Sequence, residues 1–426
     1  MASHKRFVKN TFFQYALQFA KYFFSLLTLP YLTRVLGRDV YAVRVYVLSV
    51  MNFLQVFLDF GFNSYGIRAI AAAQEEENCE EHEGRVTSSI MSLRILFCLI
   101  GAAVLAVLIQ LIPLLRNNQL FTWLSYLTIC AKATIPDFFF QGKQEMEVMT
   151  ERFVISESVA TALILFAVHS PDQLVLIPCF ELAGSVVALL WSWHYVFTHY
   201  HLKLQRVERD YVVQAAKESS TFFVATAATS VFSTLTTLFL GFDRWCSATP
   251  ADISYWSIAV TASGAIQALY APITNSLYPH MVNNHDFKLL KTLLFIGMPV
   301  DIIGSVAFAL LSEFEMGIFG GPEYLEGAYV LALIAPVFIF SYPATLIGYP
   351  VLAAFGQDRE LTTSSVTAAV FNAVVLSFLL FSGNLTLFSA CILRVCTEMV
   401  LLSVRAFYVL RLWRAYGSGN TSEVAS

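Results

Sequence analysis

Apolar stretches about twenty residues long recur along the whole chain, separated only by short polar punctuation, and nothing else limits its fold so tightly. They fall at 10–33, 40–62, 88–113, 119–140, 153–169, 173–197, 218–241, 252–278, 288–312, 326–349, 361–381 and 385–410 of the 426 residues. A bilayer core ~30 Å thick takes ~20 apolar residues per helix, so twelve spans consume about 240 residues. Short loops and two tails remain, with no room for a soluble catalytic domain. The expected fold is an all-α integral membrane protein of about twelve transmembrane helices. Composition agrees, at 57% hydrophobic and 13% charged residues, against ~45–50% and ~25% in a soluble chain. The first stretch, from Thr11 to about Leu32, is too long for the apolar part of a cleaved signal and reads as the first span. Seven cysteines include no Cys-x-x-Cys pair, which argues against a disulfide framework and a zinc site.

Orientation follows from the 26 Lys and Arg residues. With the N-terminus inside, most of them fall on the inner side, among them Lys9, Arg68, Arg85, Arg94, Lys143, Arg152, Lys203 and Arg209. Arg34, Arg38, Arg44, Arg116 and Arg244 fall on or near the outer side. The positive-inside rule then predicts that both termini are cytoplasmic. The acidic run from Glu75 to Glu83 reads as a solvated inner loop. An even number of spans, with the long basic connection 198–217 in the middle, suggests two six-helix lobes, 1–205 and 206–426. Duplicated halves are common in secondary transporters, although no residue-level repeat supports one in this chain.

Polar residues within the spans are patterned. Asn10, Gln14, Gln18, Lys21, Ser25 and Thr28 share one face of the first helix. Asn52, Gln55, Asp59 and Asn63 do so on the second, and weaker stripes mark the seventh (Thr226, Ser230, Thr234, Thr237) and eighth (Ser254, Ser257, Thr261, Gln267). Such a face suits a water-filled cavity. The competing explanation is that Ser and Thr bond their own backbone and Gln joins neighbouring helices.

Charges within spans carry the strongest signal, because one at mid-bilayer costs at least ~2.5–3.5 kcal/mol. Lys21 and Lys132 have no acid at helical spacing, whereas Arg394 has Glu398 one turn away, so an ion pair competes there. Cations in a polar cavity suit a phosphate-bearing cargo, with Arg34, Arg38 and Arg44 at the outer end and Arg68 at the inner mouth as guides. Asp59, Glu181, Asp301 and Glu398 are candidates for a coupling proton or cation, with hydrogen-bonded packing as their alternative. No GxxxxGK[ST], HExxH or GxSxG pattern occurs, so movement fits better than chemistry, and no cofactor, metal or nucleic-acid partner is expected.

Three segments then stand out in order: Leu29-Pro-Tyr-Leu-Thr-Arg-Val-Leu-Gly37, Asp59-Phe-Gly-Phe-Asn63 and Ile135-Pro-Asp-Phe-Phe-Phe-Gln-Gly142. With them the chain resembles the polysaccharide-export family that contains the Wzx-type O-antigen flippases, within the superfamily of multidrug, oligosaccharidyl-lipid and polysaccharide exporters. It departs from the usual family pattern at Arg38-Asp-Val-Tyr-Ala-Val-Arg44, where glycines are common, and at Asp137-Phe138, where Glu-Trp is. The resemblance implies two six-helix lobes around a central cavity lined by the first, second, seventh and eighth helices. It implies as substrate an oligosaccharide on undecaprenyl diphosphate, moved by alternating access from the cytoplasmic to the periplasmic leaflet of a bacterial inner membrane. A polysaccharide polymerase and chain-length proteins become candidate partners beside the lipid bilayer itself.

Three rivals remain. A multidrug or cation antiporter of the same superfamily would have an apolar, acidic cavity without unpaired lysines. A polysaccharide polymerase or ligase would carry a large periplasmic loop. A scaffold without transport would have no use for a charged interior.

Overall fold

The computed structural model describes residues 2–74, 79–206, 208–241, 248–284 and 286–417. Arg244, Cys246 and the start of the acidic run at Glu75 lie outside them, as do the side chains of Thr226 and Ser230. Among the described residues the regular secondary structure is all helical, without strands. The first helices are α1 (Ala2–Asp59), α2 (Phe62–Ala73), α3 (Cys79–Leu111), α4 (Pro113–Asn117), α5 (Gln119–Ala133), α6 (Asp137–Gly142), α7 (Met146–Ala167) and α8 (Leu176–His199). They are followed by α9 (Arg209–Leu240), α10 (Pro250–Gln267), α11 (Ala271–Asn284), α12 (Phe287–Leu310), α13 (Ser312–Phe319) and α14 (Ala328–Ile334). The last are α15 (Val337–Ile347), α16 (Asp358–Phe381) and α17 (Leu387–Gly417). Large apolar side chains such as Phe166, Phe295 and Leu310 lie on the surface, as befits a multi-pass membrane protein.

Among the described residues, six helical segments are long and apolar enough to cross a membrane, or seven if Pro322–Ile334 and Val337–Ala353, bent by 45°, form one span. That is fewer than the twelve expected, for physical reasons. α1 is two helices joined at Gly37, whose φ of 69° and ψ of 172° are not helical. α5 has only 15 residues, because Pro136 follows closely. α7 carries Glu147, Glu151, Arg152 and Glu157, which lower its apolarity. The break at Gly37 separates the two expected spans 10–33 and 40–62. A side chain at that φ and ψ meets a region open essentially to glycine alone, at a cost of about 1–3 kcal/mol. Gly37→Ala is therefore expected to lower the thermal midpoint in detergent, and an unchanged midpoint would contradict this account of the break.

The chain divides into two compact units, Met1–Ser230 and Val231–Ser426, with the division inside α9. In the first, α7 packs between α1 and α8, α5 lies on α8, and α2 lies on α6. Phe62, Ile90, Phe138, Phe139, Phe140 and Leu202 belong to its core. In the second, α17 packs against α15 and α16, and α12 against α15. Leu277, Met281, Leu346, Val351 and Val409 belong to a core there.

Glu315, on the short helix α13, has Oε2 buried without a hydrogen bond, and burial pushes its carboxyl up to about 7. Its folded value lies above the ordinary glutamate value. The fold therefore favours the neutral form, and stability falls as pH rises from the ordinary value to about 7. Glu315→Gln is expected to raise the thermal midpoint at pH 8 and to leave it unchanged at pH 4. Equal shifts at both pH values would rule this out.

Candidate functional site

Where the helices of the first unit break, the freed backbone groups find side-chain partners. Pro136 ends α5 and has no N–H of its own. The carbonyl of Thr134 accepts from Trp193 Nε1 at 3.2 Å, and that of Ile135 accepts from Arg94 Nη1 at 3.0 Å. Asp137, which opens α6, pairs with Arg152 Nη1 of α7 at 2.8 Å. The same nitrogen donates to Ser192 Oγ at 2.8 Å. Arg94 also donates through Nη2 to Asn63 Oδ1 at 2.8 Å, and its guanidinium stands 5.4 Å from the centre of the Phe138 ring. Asn63 follows a second break, where Phe60 (φ 32°) and Gly61 (φ 76°) end α1. Within a membrane, irregular backbone is tolerated where it is buried in protein or lines a cavity.

These breaks border a cavity of about 260 Å³. α1 contributes Lys21, Gln55 and Asp59 to it, α2 Asn63, α3 Arg94 and α5 Lys132. Asp137 comes from α6, Arg152, Phe153 and Glu157 from α7, and Glu181 from α8. The volume is the liquid share of roughly nine water molecules. Four bases (Lys21, Arg94, Lys132, Arg152) face four acids (Asp59, Asp137, Glu157, Glu181), so the lining is neutral in sum. The pairing is uneven. Arg152 holds Asp137, and Arg44 Nη2 lies 3.5 Å from Glu181 Oε1. Asp59 has Gln55 beside it, with Arg94 within electrostatic reach. Among the described residues, Lys21, Lys132 and Glu157 make no ion pair and no hydrogen bond. Lys21 Nζ stands 5.8 Å from the centre of the Phe153 ring. Lys132 and Glu157 share the cavity and feel each other's charge without touching.

Of the residues singled out in the sequence, Lys21, Lys132, Gln55, Asp59 and Glu181 therefore line one cavity. Gln14, Gln18 and Asn52 are exposed and lie outside its lining, as do the exposed Arg34 and Arg68 and the partly buried Arg38. Arg34 and Arg38 have partners of their own. Arg44 is half-buried against Glu181 rather than part of an open cluster at the outer end. In the second unit Arg394 Nη2 pairs with Glu398 Oε1 at 3.1 Å, as their spacing allows. Asp301 Oδ1 accepts from Tyr270 Oη at 2.6 Å. Thr237, in the stripe of the seventh span, accepts from Trp256 Nε1 at 3.0 Å, a packing role.

Arg94, Arg152, Asp137 and Glu157 are the residues that sequence reasoning missed. Arg94 and Arg152 read as inner-side flanking charges, yet they are only 2% and 5% exposed. Their signal was the acid at Asp137 beside a proline and the further acid, Glu157, in the middle of α7. Lys132 lacks an acid on its own helix, but Glu157 faces it from another.

The polysaccharide biosynthesis protein family matches residues 7–285. Two relatives bear the name "Putative O-antigen transporter". One, from Escherichia coli (strain K12), is 22% identical over 413 residues, covering 94% of this chain and 96% of the relative. The other, from Shigella dysenteriae, is 22% identical over 372 residues, covering 85% and 90%. Among solved structures, an inward-facing multidrug resistance MATE family transporter of the MOP superfamily matches with a TM-score of 0.70 at 12% identity. It covers 92% of this chain and 95% of its own. Lipid II flippase MurJ, in an inward closed conformation, matches with a TM-score of 0.70 at 14% identity, covering 94% and 87%. At these identities the structures establish a shared fold and nothing further.

Proposed function

The chain belongs to the polysaccharide biosynthesis protein family, and from that premise we propose that it is a flippase for a lipid-linked oligosaccharide, not an enzyme. The cargo is an oligosaccharide repeat unit of O-antigen type on a polyprenyl diphosphate. It moves from the cytoplasmic to the periplasmic leaflet of a bacterial inner membrane, with both termini of the protein cytoplasmic. Alternating access of two lobes, expected at 1–205 and 206–426, carries the movement. A polysaccharide polymerase and chain-length proteins are the partners that such a cargo brings.

One observation carries the reading: Lys21 and Lys132 face the cavity without an ion pair or hydrogen bond. Unengaged ammonium groups inside a membrane are costly and suit an anion that arrives with the substrate. A diphosphate diester bears about two negative charges, and stripping its water without replacement partners would be prohibitive. Ligand pockets for drug-sized molecules run ~300–1,000 Å³. At about 260 Å³ the cavity suits the phosphates rather than the whole oligosaccharide. Arg394 and Asp301 belong to the other unit, where each has a partner, so their part is secondary. A membrane negative inside adds ~2.3 kcal/mol per charge per 100 mV to outward movement of the anion. The relatives' name and the flippase among the structural neighbours support the same class of cargo.

The test uses proteoliposomes containing a short-chain polyprenyl diphosphate oligosaccharide. The readout is sugar that becomes accessible on the opposite leaflet, with and without an imposed potential. Protein-dependent translocation supports the reading, and none with any lipid-linked sugar tried would sink it. Export of lipophilic cations by the same vesicles would favour the antiporter.

A further inference from the structure

A transporter must release what it binds, and a cavity of unopposed cations would hold a dianion too well. Unit charges a few ångströms apart attract strongly where water is scarce, and each cation engaged adds to that hold. The first unit answers with acids in equal number to its bases. Three of the four are committed: Asp137 to Arg152, Glu181 to Arg44, and Asp59 to the neighbourhood of Gln55 and Arg94. Glu157 alone makes neither an ion pair nor a hydrogen bond among the described residues, and the cation it feels first is Lys132 on another helix.

We propose that Glu157 is a resident competitor for Lys132, a carboxylate that takes the place of the substrate's phosphates whenever the cavity is empty. This rests on the flippase reading and assigns a role within it. An arriving diphosphate displaces the carboxylate from the field of Lys132, and on release the carboxylate returns. Arg44 and Glu181, themselves paired, are the other charges that Glu157 feels. The competitor lowers affinity for the anion and so quickens its departure, as multi-site pores do for their ions.

Isothermal titration of the purified full-length protein in detergent tests this with two probes, inorganic pyrophosphate and a short-chain polyprenyl diphosphate. Wild type is compared with Glu157→Gln, Lys132→Ala and the double variant. Glu157→Gln is expected to lower Kd about tenfold for both probes and to slow translocation in proteoliposomes. In the Lys132→Ala background that gain is expected to vanish, which a merely structural role for Glu157 would not produce. Thermal melting checks the fold, and Glu157→Ala replaces the glutamine variant if the latter melts early. An unmoved or raised Kd, the same gain without Lys132, or a gain with the lipid probe alone would overturn the proposal. Should wild type translocate while the Kd of Glu157→Gln stays unmoved, the flippase reading survives and this inference falls. An intact affinity gain in a protein that flips nothing would instead sustain the competitor and remove the flippase.

Discussion

Alanine at Lys132 is expected to cut translocation of a lipid-linked oligosaccharide by about 10- to 100-fold while the protein still inserts and folds. The magnitude follows from losing a hydrogen bond between charged groups, ~1.5–3 kcal/mol, at ~1.4 kcal/mol per factor of ten. Folding should be spared because the ammonium has neither an ion pair nor a hydrogen bond to lose and is solvent-accessible in the cavity. Lys21→Ala should act in the same direction and more weakly, since its ammonium already has the Phe153 face 5.8 Å away. Cation–π contacts at exposed sites contribute only ~0.5–1 kcal/mol, so the ring cannot replace a phosphate. The measurement is the initial rate in proteoliposomes, normalised to inserted protein. Rates unchanged in both variants would remove these lysines from the site while leaving the flippase reading in place.

Arg152→Met is expected to act on stability, the opposite pattern. It removes the partner of Asp137 and the donor to Ser192, both at 2.8 Å, from a position only 5% exposed. Breaking a buried ion pair from one side costs ~3–5 kcal/mol, because the remaining charge is left uncompensated. Asp137 keeps 30% of its side-chain exposure, which places the expected cost near the lower end, about 3 kcal/mol. The double variant Arg152→Met/Asp137→Asn should recover much of that loss, since no lone charge remains. Thermal melting in detergent reads the cycle. A single variant as stable as wild type, or a double variant worse than the sum of the singles, would show that the pair does not hold the α5–α6 break.

Much of this was legible in the sequence, and the parts that were not have a common cause. The helical class follows from apolar stretches alone, because a bilayer leaves the backbone few alternatives. The three segments that carry the family resemblance each contain a helix break: at Gly37, at Phe60–Gly61, and at Ile135–Pro136. Gly and Pro signal such breaks locally, so their positions could be read without tertiary information. Of the polar faces read on α1, Lys21, Gln55 and Asp59 line one cavity, whereas Gln14, Gln18 and Asn52 lie outside it. Counting basic residues by side of the membrane, by contrast, concealed Arg94 and Arg152. A flanking arginine and a buried one look alike until the helix opposite is known. The match of Glu157 to Lys132 and of Arg44 to Glu181 is likewise between helices far apart in sequence. Helical spacing can reveal Arg394 with Glu398, but no periodicity along one helix reveals a pair across two.

The most direct test of the central claim is to find where the phosphate joint of the cargo sits. A short-chain polyprenyl diphosphate oligosaccharide with a diazirine beside the diphosphate would be irradiated in proteoliposomes, and the labelled peptides mapped by mass spectrometry. Labelling of the peptides that contain Lys132 and Phe153, suppressed by excess inorganic pyrophosphate, is the result predicted. Labelling confined to the second unit around Asp301 and Arg394, or spread over lipid-facing residues such as Phe166 and indifferent to pyrophosphate, would contradict it.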